Sequence, residues 1–190
     1  MWSDKWTKRA KEAGYPARSV YKLKEADHKF KFIKPGSKVL ELGASPGSWT
    51  KYVLERIGKD GLIVAVDLND IIIPKDSRLV FIKSDVFDLD LDGLKKIAGG
   101  YFNILLSDMA PSTTGIHFVD QEASFNLAKK ALEIARELLI SGGSFFIKFF
   151  EGEGSRDLIG IAKDFAVIKL FRPTATRKSS SEIYLFGTVK

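Results

Sequence analysis

After residue 37 the chain alternates short apolar runs with longer stretches whose apolar positions recur at helical spacing. Lys38 to Leu42 reads as a first strand, followed by a glycine-rich turn and a helix to about Ile57. Leu62 to Val66, Leu79 to Ile82 and Phe102 to Leu106 are the second, third and fourth predicted strands. A long helix is predicted over Asp120 to Leu139, where Phe125, Ala128, Leu132, Ala135 and Leu139 recur on one face. Gly142 and Gly143 read as its C-terminal stop. Ser144 to Phe149 is a fifth strand, and Ala166 to Phe171 and Glu182 to Thr188 are the last two. Apolar strands alternating with helices indicate an α/β fold, with a mostly parallel seven-stranded sheet covered by helices on both faces. Ligands of such Rossmann-like sheets bind beyond the carboxyl ends of the strands, where the strand order reverses.

Residues 1–37 precede this sheet. Arg18 to Glu25 reads as helical, with Val20, Leu23 and Phe30 able to pack inward. The expected organisation is one domain over 1–190, a basic helical appendage of 1–37 on a core of 38–190.

Charge sharpens the picture. Residues 1–38 carry 11 lysines and arginines against 4 acidic residues, whereas the remainder carries 19 against 20. The whole positive excess therefore sits in the N-terminal fifth, and such an arm suits a polyanion such as nucleic acid. The chain has no cysteine, which excludes a disulfide framework and thiolate chemistry. No run approaches the roughly 18 apolar residues of a membrane span, and the charged start lacks a signal-peptide core, so a cytoplasmic protein is expected. His28 and His117 are far apart, and no metal site is expected.

The candidate chemistry begins at the end of the first strand. Gly43, Ala44, Ser45, Pro46 and Gly47 form a strand-to-helix loop, with Trp49 just inside the helix. Glycines there permit a tight turn and close ligand approach. The loop reads G-x-x-P-G rather than G-x-G-x-x-G. Pro46 has no N–H to offer a pyrophosphate, which disfavours a dinucleotide. Asp67 ends the second strand and could accept bonds from ribose hydroxyls. Asp85, followed by Val86, succeeds the third strand and could accept from an adenine amino group. Taken singly, either aspartate reads more readily as a cap or turn residue; the two together, at the carboxyl ends of successive strands, favour a ligand site.

The segments Tyr21-Lys22-Leu23, Leu42 to Trp49, Ser107-Asp108-Met109-Ala110-Pro111, Ile147-Lys148-Phe149-Phe150-Glu151-Gly152 and Arg177 to Tyr184 together resemble the FtsJ-type RNA ribose 2′-O-methyltransferases. Within them they resemble the group acting on large-subunit ribosomal RNA. The resemblance runs from about residue 15 to the end. It implies a Rossmann-like methyltransferase fold, S-adenosylmethionine as cofactor and RNA as substrate. The expected substrate is a uridine of 23S-type ribosomal RNA within the large subunit. It also implies a Lys-Asp-Lys-Glu catalytic tetrad at Lys22, Asp108, Lys148 and Glu182, with Asp108 bordering the cofactor as well. Lys148 could act as a neutral base or, charged, could orient the ribose and stabilise the developing alkoxide.

RNA contacts are expected from Lys5, Lys8, Arg9, Lys11, Arg18 and Lys24, joined by Arg172, Arg177 and Lys178. Trp2, Trp6 and Tyr15 are candidates to stack on unpaired bases or to pack on the domain. Without a large exposed apolar helix face, a monomer is expected. Other readings are weaker. A cytosine-C5 methyltransferase needs a nucleophilic cysteine. An amino-group methyltransferase would show an Asn/Asp-Pro-Pro-aromatic run where this chain has Asp108-Met109-Ala110-Pro111. Transfer RNA as substrate, or a non-catalytic RNA-binding assembly factor, remains as the alternative.

Overall fold

The structure, a computed structural model, describes residues 5–111, 115–152, 154–177 and 180–190, with the backbone alone at His117. Seven strands form one sheet: β1 (Lys38–Leu42), β2 (Leu62–Asp67), β3 (Leu79–Lys83), β4 (Phe102–Ser107), β5 (Leu139–Phe150), β6 (Ala166–Phe171) and β7 (Glu182–Val189). Their spatial order is β3-β2-β1-β4-β5-β7-β6. The first five run parallel, and β7 lies antiparallel between β5 and β6. The order reverses between β1 and β4, and ligands of such sheets sit at that place.

Alternation along the strands builds two cores. Leu40, Leu42, Leu105, Phe145, Ile147 and Leu185 face α4 (Leu91–Ala98), α5 (His117–Leu138) and α6 (Ser155–Phe165). Val39, Ile63, Leu106, Phe146, Tyr184 and Phe186 face the other way, onto α2 (Val20–Phe30) and α3 (Ser48–Arg56). The chain is tight enough that a Cβ on Gly187 would lie 2.1 Å from the Phe145 ring.

The N-terminal segment is more than an appendage. α1 (Lys5–Glu12) rests on α2, and α2 buries Leu23 and Ala26 against the sheet. Phe30 stacks on Phe186 with ring centroids 4.0 Å apart. Buried Asp27 is fully engaged: Ile33 N and the Tyr52 hydroxyl donate to it, and the Arg56 guanidinium lies 3.3 Å away.

The glycine pair after the long helix has a different role from the one its sequence suggests. α5 ends at Leu138 and the chain turns directly into β5 at Leu139, so Gly142 and Gly143 lie inside the strand. The β4–β5 register shifts there, between Phe102 and Ile104. A Cβ on Gly143 would sit 2.8 Å from Ile140 O and 3.1 Å from Asn103 O. The glycines thus serve an irregular strand start rather than a helix cap. Two helices that the apolar pattern did not announce, α4 and α6, cover the strands between them; Asp90 caps α4 by accepting from Gly93 N at 3.0 Å.

Candidate active site

The loop after β1 forms the base of a cleft of about 450 Å3. Gly43 has φ +78°, and a Cβ there would lie 2.7 Å from Met109 N. Only glycine lets the loop touch the segment after β4 so closely. Gly47 begins α3 at φ +107°. The loop's own donors are spent within the protein. Gly43 N and Ala44 N donate to Val66 O, Gly47 N donates to Ala44 O, and Ser45 N donates to Asp67 Oδ2 at 2.9 Å. A pyrophosphate needs such donors pointing at it. None of these four is available, and Pro46 has none.

The cleft walls come from the carboxyl ends of β1 to β4, with Leu127 of α5. Gly43, Ser45, Asp67, Asp85, Val86 and Asp108 line it. Ala44, Pro46 and Gly47 shape the loop without lining the cleft. Trp49 departs from expectation. It points into the core behind the loop, is 2% exposed, donates to Ser19 O at 2.8 Å and packs on Phe146. As the second residue of α3 it is turned towards the sheet, so it supports the loop from behind.

Asp67 Oδ1 accepts from Asn69 N at 2.7 Å, and Asp85 Oδ1 caps a short 3-10 turn by accepting from Phe87 N at 3.0 Å. A carboxylate offers about four lone-pair sites, so both keep capacity for ligand hydroxyl or amino groups. Asp67, Asp85 and Asp108 all line the cleft, and among the described residues no lysine or arginine does. The wall therefore favours a cationic ligand over a polyphosphate. An aminoacyl sulfonium nucleoside such as S-adenosylmethionine fits it, with a positive sulfur, ribose hydroxyls and an adenine amino group.

Beside Asp108 the remaining candidate residues converge on the α2 side of the sheet. Lys148 Nζ donates to Asp108 O at 2.6 Å and lies 3.1 Å from Asp108 Oδ1. Lys22 Nζ, from α2, lies 2.7 Å from the Glu182 carboxylate. Tyr184 joins the two pairs: its hydroxyl donates to Asp108 Oδ1 at 2.8 Å. Burial alone would push the Asp108 carboxyl up. Lys148, Lys22 and the Tyr184 hydroxyl outweigh that and hold it below the usual carboxylate value. Burial and the charges of Asp108 and Glu182 push the Tyr184 phenol well above its ordinary value. It therefore stays a donor.

Sequence reasoning missed Tyr184, although a signal existed. Glu182 and Tyr184 are two apart on one strand and so share a face, and Tyr184 is paired with Lys148 in the ladder. It also missed Glu41, whose buried carboxyl group accepts from Thr50 Oγ1 at 2.7 Å just beneath the loop. Among the basic residues, Lys5, Lys8, Arg9 and Lys11 are exposed. Arg18 donates to Ala175 O, and Arg172 is 2.7 Å from Glu151. Tyr15 is not available for stacking, since it is buried and its hydroxyl donates to Glu55. Trp2 and Lys178 lie outside the described residues.

Sheet order, cleft position and the acidic lining fit a Rossmann-like methyltransferase of the S-adenosylmethionine-dependent class. The sequence profile of the FtsJ-like methyltransferase family matches residues 15–190, and the chain belongs to that family. A ribosomal RNA large subunit methyltransferase E of Desulfatibacillum aliphaticivorans is 44% identical, with 100% of this chain and 92% of the relative covered. The protein of the same name from Treponema denticola is 44% identical, with 97% and 93% covered. Among solved structures, a Plasmodium falciparum protein assigned as a ribosomal RNA methyltransferase superposes with a TM-score of 0.80 at 26% identity. That match covers 92% of this chain and 98% of the other. Aeropyrum pernix fibrillarin, solved with bound S-adenosylmethionine, shares the fold with a TM-score of 0.60 at 16% identity, covering 83% and 68%.

Proposed function

We propose that this chain methylates a ribose 2′-hydroxyl in large-subunit ribosomal RNA, working as a single-domain, monomeric cytoplasmic enzyme. The observation that carries the chemistry is the Lys148–Asp108 pair, whose aspartate lines the acidic cleft. S-adenosylmethionine, when bound, supplies a methyl group on an electron-poor sulfonium carbon. Gly43, Ser45, Asp67, Asp85 and Val86 would hold it, with the aspartates accepting from its ribose and adenine.

The chain's own task is to bring a hydroxyl in line and ease its attack. Lys148 commits two donor directions to Asp108. An ammonium has three, and the third is left for the ribose oxygen. Asp108 thus fixes Lys148, and Tyr184 fixes Asp108. Lys22, held by Glu182, adds a second positive group on the same side. Both lysines stabilise negative charge as it develops on the attacking oxygen. The hydroxyl gives its proton to water as it attacks, and the two ammonium groups favour that loss by stabilising the alkoxide character it leaves on the oxygen.

RNA as the polyanionic partner is supported by the exposed basic residues of α1 and by the names of the relatives. No helix among the described residues is long and apolar enough to cross a membrane. The deciding experiment is transfer of labelled methyl to ribosomal subunits and total RNA, beside Lys148→Ala, with cofactor binding measured for both proteins. Expected is label in alkali-resistant dinucleotides of large-subunit RNA. Lys148→Ala should lose at least about 100-fold in rate, since the group is placed to stabilise charge, while still binding cofactor. Label in transfer RNA alone would overturn the substrate. A fully active Lys148→Ala would overturn the residue's role.

A further inference from the structure

A second open cavity, of about 790 Å3, lies between α1, α2 and Thr174, away from the cofactor cleft. It combines rings with cations. The Trp6 and Tyr21 ring centroids are 5.0 Å apart, tilted at 42°. The Arg9 guanidinium lies 5.8 Å from the Trp6 centroid and 5.3 Å from that of Tyr21. Lys24 Nζ is 5.7 Å from the Tyr21 centroid. Glu12 and Glu25 add carboxylate acceptors to the lining.

The cavity shares a wall with the tetrad. Tyr21 and Lys22 are adjacent on α2, and successive helical side chains diverge by about 100°. Tyr21 therefore faces this cavity while Lys22 reaches Glu182. The segment after β6 divides in the same way: Thr174 lines the cavity, and Thr176 Oγ1 donates to Glu182 at 3.4 Å. α1 has only 8 residues and buries Ala10 alone. A helix so short is not stable by itself. Its packing with Tyr15, Val20, Tyr21 and Ala175 fixes Trp6 and Arg9 beside the Tyr21 ring.

Aromatic faces accept nucleobases, and cations beside them accept phosphates. The two carboxylates suit base N–H groups and oppose a small free anion. A base inside a duplex could not present its face here. We infer that this cavity seats an unpaired nucleotide neighbouring the one to be methylated, its base on Trp6 and its phosphate on Arg9 and Lys24. The inference rests on the RNA methyltransferase reading above and specifies how that substrate is gripped.

The test is fluorescence anisotropy with a short labelled oligouridylate at low salt, and with the same backbone lacking bases. Trp6→Ala is expected to weaken binding of the oligouridylate about tenfold. Trp6→Phe should restore most of it, and the abasic strand should bind both proteins alike. Unchanged S-adenosylhomocysteine binding by Trp6→Ala shows that the fold has survived. Equal affinity of wild type and Trp6→Ala would overturn the seat. So would an equal loss on the abasic strand, or no wild-type binding at all. Trp6-dependent binding by a protein that methylates no RNA would leave the seat standing and sink the catalytic reading.

Discussion

Replacing Glu41 by glutamine is expected to change how stability responds to pH. The Glu41 side chain on β1 is 1% exposed. Burial pushes its carboxyl from 4.5 up to about 8; the Thr50 hydrogen bonds oppose this, and the charges of Asp108 and Asp67 add to it. Between those two values the folded protein holds a proton that the unfolded chain releases. Stability is therefore fullest below the lower value and falls as pH rises through the upper one. From roughly pH 5.5 to pH 7.5 this one group costs about 2.5 kcal/mol. Other shifted acids lie outside that window: Asp76 and Asp108 are displaced downward, and Tyr15, Tyr52 and Tyr184 upward from 10.0. Glutamine keeps an oxygen for Thr50 and has no proton to release. Urea unfolding at the two pH values should show wild type less stable at the higher one by about that amount, with Glu41→Gln nearly flat. Parallel pH dependence in the two proteins would refute the assignment.

Two further substitutions probe the cleft and the tetrad. Gly43→Ala places a Cβ 2.7 Å from Met109 N on a backbone with φ +78°. It should lose about 1–3 kcal/mol of stability and at least about tenfold in S-adenosylhomocysteine affinity, one factor of ten per 1.4 kcal/mol; calorimetry showing full affinity would mean that the two segments can part freely. Tyr184→Phe removes the 2.8 Å donor to Asp108 and should cost about 1–3 kcal/mol. Because that donor helps hold the Asp108 carboxyl down, its loss should move the acidic limb of the kcat/KM profile to higher pH. An unmoved limb would mean that Asp108 does not set it.

Strands β1, β2 and β4 were legible because buried parallel strands are nearly continuous apolar runs bounded by turn residues. The polar edge of α4 and the Gly160-containing α6 hid two helices. The tetrad positions came from the resemblance. Tyr184, which holds Asp108, and Glu41, which holds Thr50 beneath the loop, read as ordinary strand residues until the fold sets each against its partner. Gly142 and Gly143 misled for a related reason. A glycine signals unusual backbone but not its kind, and here the β4–β5 register decided it. Trp49 sits amid loop residues in sequence, yet helical geometry turns it inward.

The Lys22–Glu182 contact joins residues 160 positions apart, and Glu182 and Tyr184 arrive only when β7 slots between β5 and β6. Such distant closures are slow to form. The proposed cofactor cleft is built from β1 to β4, so cofactor binding should return early during refolding, whereas methyl transfer should return only once the final strand is inserted. The delay between those two recoveries would time the last topological step, making the enzyme a clock for its own assembly.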